Sequence, residues 1–410
     1  MKKIFFILLV FHFSLTIGNA QWVQKSAGMG ANVKVWSIAV NGINIFAGTD
    51  AGVYLSANNG ENWSQTSFNS QPGNVLLIDG LNIFVGTSGG VFRSTNNGLN
   101  WTKLASINGS VWALAVYGSY IFAGTNFQLG VYRSTDYGMN WTQTTLNNAE
   151  ISSLAVIGNN LIAGDWGSSS VFRSTDNGNN WMQIPVGGTA VDVVLSLAVL
   201  GNNIFAGTDN AGVFRSTNYG VNWINIGLNA KGISSLTVKD NNIFAGDFFN
   251  AEVYLSTNFG TNWKLKNNGL GSQNSVLSLA TTAQYIFAGT DSSVWRREYA
   301  EIIDVKKISE MVPSAYSLSQ NYPNPFNPNT KIKFNIASAL SSPHALSGEH
   351  FVSLKVYNLL GQEITTLINE KIKPGEYEVT FDGSNLPGGV YFYKLTAGDF
   401  SETKKMLMIK

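Results

Sequence analysis

The chain has three histidines and no cysteine, and this limits the chemistry it can do. His12 stands near the amino end, and His344 and His350 stand together near the other. The long stretch between His12 and His344 has neither imidazole nor thiol. That excludes from it a Ser-His-Asp triad, a histidine-ligated zinc or iron site, a thiolate metal site and a cysteine nucleophile. Carboxylate chemistry, a tyrosine nucleophile or binding alone is left. Asp165, Asp192, Asp209 and Asp247 are the carboxylates to weigh, because a glycosidase works with two of them about 5–10 Å apart. Sequence spacing places no pair at that separation. Gly28-Met29-Gly30 lacks the third glycine and the following helix of a phosphate loop.

What could position such residues is an internal repeat. A Ser-x-(Asp/Asn)-x-Gly-x-Asn-Trp segment occurs six times, with its serine at 56, 94, 134, 174, 216 and 256. Upstream of each lies an Ile-Phe-Ala-Gly-Thr type strand, and seven of these end at Thr49, Thr87, Thr125, Asp165, Thr208, Asp247 and Thr290. A further strand of the Ser-Leu-Ala-Val kind precedes each one. Four strands in roughly 40 residues is the size of one propeller blade. The seventh unit, 276–298, stops after its third strand. Gln21-Trp22-Val23-Gln24 has the character of the missing fourth. The spacing therefore predicts an all-β ring of seven blades over 21–298, closed by its own amino-terminal strand and free of open sheet edges.

The recurring segment has a local physical reason. Asp or Asn at its third position can take backbone N–H groups two residues on, glycine supplies positive φ, and tryptophan covers the turn. The segment resembles the Asp-box of sialidase-like propellers. Only Asp136 and Asp176 keep the aspartate of that motif; Asn58, Asn96, Asn218 and Asn258 replace it. Six near-identical copies suit a scaffold, so these positions are expected to be structural and not metal ligands. The sialidase resemblance would imply an arginine triad on a substrate carboxylate. Arg93, Arg133, Arg173, Arg215 and Arg296 instead share one repeat position, which spreads them around the ring, where they stack on neighbouring tryptophans or pair locally.

A ligand site is sought where repeats depart from their own consensus. The loops from second to third strand mostly read Gly-Thr-(Asp/Ser)-x-Gly. Asn126-Phe127-Gln128, Asp165-Trp166-Gly167 and Asp247-Phe248-Phe249-Asn250 differ by carrying aromatics. Phe127, Asp165, Trp166, Asp247, Phe248 and Phe249 are the expected binding residues, because a ring beside a carboxylate or amide suits stacking and hydrogen bonding to a sugar or peptide. Asp50, Asp209 and Asp291 recur at one position and read as turn residues.

After a charged linker at 299–315, residues 316–410 read as a small β-sandwich with strands at 331–336, 352–359, 377–381, 390–395 and 403–409. Asn321-Tyr322-Pro323-Asn324-Pro325-Phe326, Val356-Tyr357-Asn358-Leu359-Leu360-Gly361-Gln362-Glu363, Leu386-Pro387-Gly388-Gly389-Val390-Tyr391-Phe392-Tyr393-Lys394-Leu395 and the closing 405–410 block follow in order. These blocks resemble the type A sorting domain of the type IX secretion system. The resemblance implies recognition by the outer-membrane translocon, with removal of the domain and attachment or release of its cargo. The 337–350 segment looks like a loop insertion.

Met1-Lys2-Lys3, the apolar run 4–17 and Gly18-Asn19-Ala20 read as a secretory signal peptide over 1–20. The run is short of the ~20 residues of a membrane span. With 26 basic against 25 acidic residues, net charge +1, there is no electrostatic drive toward nucleic acid. Charged residues at 12% and 42 glycines among 410 residues fit short strands and tight turns. The resulting expectation is an exported, monomeric, non-enzymatic propeller without cofactor, which binds a glycan or protein through its loop face. The alternatives are a polysaccharide hydrolase with a carboxylate pair, and an assembly factor like the photosystem-assembly propellers that the repeats also resemble.

Overall fold

The computed structural model describes residues 21–187, 192–271, 275–302, 305–309, 311–337, 350–383 and 386–409. The signal peptide expected over 1–20 and nearly all of the 337–350 insertion lie outside these residues. The repeat region forms seven four-stranded antiparallel sheets. Blade 1 is representative: Val35–Asn41, Asn44–Thr49, Gly52–Ser56 and Ser64–Gln65, paired in that order. First strands of successive blades pack side by side, and that of blade 1 meets that of blade 7, Val276–Thr281, to close the circle. Second strands carry the inter-blade core: Phe46, Phe84, Phe122, Phe205, Phe244 and Phe287 are fully buried.

The turn between third and fourth strands is built alike in all six copies. In blade 1, Ser56 Oγ donates to Asn58 Oδ1 at 2.9 Å and accepts the Gly60 N–H at 2.9 Å, while Asn58 Oδ1 also takes the Asn62 N–H at 3.0 Å. The Asx oxygen thus reaches four residues on, not two as expected. The serine hydroxyl supplies the inner bond that the sequence reading left out. Asn59, Asn97, Tyr137, Asn177, Tyr219 and Phe259 adopt positive φ just before the glycine, so two successive left-handed residues make the turn. Tyrosine and phenylalanine are unusual there, and the repeated serine bond is what holds them.

Ring closure is as expected. Val23–Gln24 pairs with the third strand of blade 7, Val294–Glu298, in the register Val23↔Arg296 and Gln24↔Trp295. Trp22 is buried, its indole N–H donating to Lys266 O at 2.7 Å on blade 6. Trp63 of blade 1 reaches back to Lys25 O at 2.8 Å. Two of the repeat arginines link blades in the same way, Arg133 Nη1 donating to Asn177 O at 2.7 Å and Arg296 Nη1 to Asn59 O at 2.5 Å, while Arg173 and Arg215 pair locally with Asn160 and Asn203. Arg133, Arg215 and Arg296 stack on Tyr120, Phe259 and Tyr285, where tryptophans were expected.

Across the seam, Glu61 accepts from Lys25 Nζ at 2.5 Å and from Arg296 Nη2 at 2.6 Å. These bonds, Lys25 first, hold its carboxyl below the ordinary range. A depressed folded pKa stabilises fully above the unfolded value, about 4.3, and that contribution is lost as pH falls through the folded value. Glu61→Gln should therefore narrow the gap between urea midpoints at pH 7 and pH 3. Because Glu61 is exposed, the effect is expected to be under about 1 kcal/mol. An unchanged gap would count against an ionic seam.

The carboxy-terminal part packs two four-stranded sheets face to face. One orders Val305–Ser309, Gly375–Asp382, Asn329–Ile336 and Ser317–Leu318; the other orders Glu363–Ile372, His350–Tyr357, Gly389–Ala397 and Phe400–Met408. The stretch 299–315 is therefore more than a linker. Tyr299–Ile302 is a single helical turn, and Val305–Ser309 is an edge strand of the sandwich. Glu363–Ile372 was also missed by the sequence reading, because two register shifts against its partner strand break the alternation that marks a strand.

Candidate functional site

Six of the seven first strands begin with a β-bulge, for example between Val35 and Ser37 opposite Thr49 and Gly48. A bulged residue leaves the pleat alternation and is re-aimed. Here the bulged residues, with Asn74 in the corresponding place of blade 2, surround the ring axis on the face bearing the second-to-third and inter-blade loops. Trp36, Trp112, Leu195 and Leu277 contribute apolar surface, and Asn74, Ser152 and Ser234 contribute polar groups, to a cavity of about 360 Å³. The polar three are engaged within the scaffold. Asn74 Nδ2 donates to Val111 O at 3.2 Å, Ser152 Oγ to Val194 O at 2.5 Å, and Ser234 Oγ to Val276 O. Each bonds the next blade, so what faces the cavity is largely apolar. Trp36 and Trp112 meet edge to face at 5.6 Å and 82°.

Three expected residues join this cavity: Trp166, Phe248 and Phe249 line it. Trp166 also lines a smaller neighbouring hollow with Trp112, Asn126 and Glu150. Phe127 is exposed at a left-handed φ of 55° and does not line the cavity. Asp165 and Asp247 are buried turn formers at the position that other blades give to threonine. Asp165 Oδ1 accepts the Gly167 N–H at 2.9 Å and Oδ2 the Ser168 hydroxyl at 2.6 Å. Asp247 Oδ1 accepts the Phe249 N–H at 2.8 Å and Oδ2 accepts from Asn250 Nδ2 at 2.8 Å. In blade 1 the Thr49 hydroxyl takes the Ala51 N–H in the same way. The two carboxylates hold their loops, which frees the following position for Trp166 and Phe248. Beneath Asp247, Lys231 Nζ binds Glu252 Oε2 at 2.6 Å, and Tyr254 donates to the same oxygen at 2.5 Å. Burial, with the Glu252 bond, pushes the Tyr254 hydroxyl up to about 12.

The sequence reading missed Trp36 and Trp112 as site residues. Their signal was present as two tryptophans at one repeat position otherwise held by serine, leucine or asparagine. It also assigned Asp209 to a turn. The Asp209 backbone N–H instead crosses to Val193 O at 3.1 Å, ahead of the first strand of its blade, and Asp209 lines the cavity. Burial raises its pKa; the Val193 backbone N–H opposes that rise and the neighbouring Asp192 carboxylate adds to it. Asp291, at the same repeat position, stands outside the cavity. Among the described residues lining the cavity, Asp209 is the only carboxylate, and none is lysine, arginine or histidine.

With this geometry in place, comparison with known proteins is informative about the tail and the shape. Residues 320–410 match the family model of the secretion system C-terminal sorting domain. The carboxy-terminal domain is thus a type IX sorting domain; it engages that secretion machinery and directs the protein to the cell surface or extracellular space. Among curated proteins, none matches the chain in sequence. YCF48 from Cyanidioschyzon merolae superposes with a TM-score of 0.56 at 15% identity, over 69% of this chain and 99% of its own. The extracellular domain of a putative hybrid two-component system from B. thetaiotaomicron gives 0.59 at 15%, over 80% of this chain and 47% of its own. A GH74 xyloglucanase from Xanthomonas campestris gives 0.55 at 14%, over 77% and 59%. At these identities the likeness is one of fold, and it establishes the repeat region as a β-propeller.

Proposed function

We propose that this is an exported, non-enzymatic binding propeller that receives part of an extracellular glycan or protein in the cavity at its ring axis. The single observation carrying the reading is the wall of Trp36, Trp112, Trp166, Phe248 and Phe249, assembled from four different blades around one carboxylate. Aromatic groups gathered in a concave site supply contact area at low entropic cost. The Asp-box-like turns lie on the opposite face and serve the scaffold. The signal peptide over 1–20, cut after Ala20, would take the chain across the inner membrane before the sorting domain acts. Domain limits of 21–298 for the propeller and 316–410 for the tail belong to the same proposal, with 305–309 reassigned to the tail's sheet.

Propellers of this shape include a xyloglucanase and YCF48, which has been solved bound to D1 peptide, so shape alone chooses neither catalysis nor binding. The hydrolase reading loses two of its four candidate carboxylates, because Asp165 and Asp247 are committed to loop turns. The sorting tail is at odds with an intracellular assembly factor. The test is retention of host-derived extracellular glycans and proteins on the immobilised full chain. Trp112→Ala and Trp166→Ala should each weaken the captured interaction by at least about tenfold. Capture unaffected by both variants would remove the cavity from the function, and reducing-sugar release lost in Asp209→Asn would restore the enzyme reading.

A further inference from the structure

The cavity has an unusual balance of groups. Its walls are aromatic and aliphatic, and the Asn74, Ser152 and Ser234 groups at its throat are bonded to neighbouring blades. Its one carboxylate, Asp209, has no basic side chain among the described lining residues to neutralise it. A carboxylate in apolar surroundings is costly unless an opposite charge comes to it. Electron-rich ring faces around a negative charge attract a cation. One of these rings already does so within the molecule: Lys34 Nζ stands 3.9 Å from the centroid of Trp36.

The kind of cation follows from the acceptors. A primary ammonium brings three N–H donors, and the Asn74, Ser152 and Ser234 groups that could meet them are already bonded within the scaffold. A sugar ring, with hydroxyls on every side, would leave still more donors unmet. An alkylated ammonium has a full charge, an apolar surface and few or no donors. Building on the binding role proposed above, we infer that the group the cavity receives is a methylated or quaternary ammonium, seated against Trp112, Trp166 and the Phe248–Phe249 pair with Asp209 as its counter-charge. Phe249 is well placed to form a fixed wall, because its ring lies so close over Gly232 that a Cβ there would come within 2.5 Å of it.

The experiment titrates the full chain with choline and with its neutral isostere 3,3-dimethylbutan-1-ol, following tryptophan fluorescence and calorimetry. Choline should bind about tenfold or more tighter than the isostere, and methylammonium should bind more weakly than choline. Asp209→Asn, which keeps the shape of the side chain, should weaken choline about tenfold and leave the isostere unchanged, with the thermal transition confirming an intact fold. Equal binding of choline and isostere, or choline binding indifferent to Asp209→Asn, would overturn the inference, as would no choline binding at 100 mM. The carrier is then read by comparing a peptide bearing Nε-trimethyl-lysine with a phosphocholine-substituted glycan, each against its unmethylated form. If choline fails while extracellular capture persists and remains sensitive to Trp112→Ala, the ammonium assignment falls and the binding role stands.

Discussion

Trp22→Ala is expected to destabilise the propeller by about 3–5 kcal/mol, the cost of deleting a buried indole. The Val23–Gln24 strand is two exposed residues with two partners and has little hold of its own. Its anchor is Trp22, 2% exposed, bonded through its indole to Lys266 O and through its backbone N–H to Asn268 O at 2.8 Å. Without that anchor, Val294–Glu298 becomes an unpaired sheet edge, open to pairing with other chains. The predicted result is a lower urea midpoint together with concentration-dependent association. Val23→Ala, at a position 46% exposed, should change stability by no more than about 0.5 kcal/mol. A Trp22→Ala protein that unfolds like the parent and stays monomeric would show that the ring does not depend on its seam.

Phe326→Ala should have its effect on delivery. Phe326 is 1% exposed and packs edge-on to Phe381 at 5.8 Å. Its backbone clips the last strand, taking the Ile409 N–H at 3.0 Å and donating to Leu407 O at 3.0 Å. Loss of about 3–5 kcal/mol is a large part of the 5–15 kcal/mol that holds a small domain together. The variant should remain inside the outer membrane, with a folded, protease-resistant propeller and a degraded tail. Tyr322, in the same motif, is 81% exposed, so Tyr322→Ala keeps the sandwich folded. Export of Phe326→Ala at parental levels, measured by immunoblot of extracellular and cell fractions, would refute the view that the motif acts through the folded sandwich.

Much of this architecture could be read from residue order. The Ser-x-Asx-x-Gly-x-Asn-Trp copies marked where the blades turn, and Gln21-Trp22-Val23-Gln24, ahead of the first copy, marked the seam. The strand Val305–Ser309 was not legible, because a short charged edge strand has no apolar alternation of its own and exists only where Gly375–Asp382 offers it partners. The site was half legible. Trp166, Phe248 and Phe249 stood out against the loop consensus. Trp36 and Trp112 lie in strands, where period-two reasoning assigns a face, and the bulge at that residue cancels the assignment. The turn carboxylates Asp165 and Asp247 looked like chemistry until their oxygens were seen to replace a threonine hydroxyl.

Val23 and Gln24 find their partners at Arg296 and Trp295, at the far end of the wheel. A chain that emerges amino end first must therefore hold its opening strand unpaired until almost every blade has been made, and contacts this distant form slowly. The edge strand of the tail, Val305–Ser309, begins only a few residues after Glu298. Synthesis cut short anywhere in the ring thus yields a molecule lacking both its last blade and its address, so incomplete wheels are never labelled for dispatch.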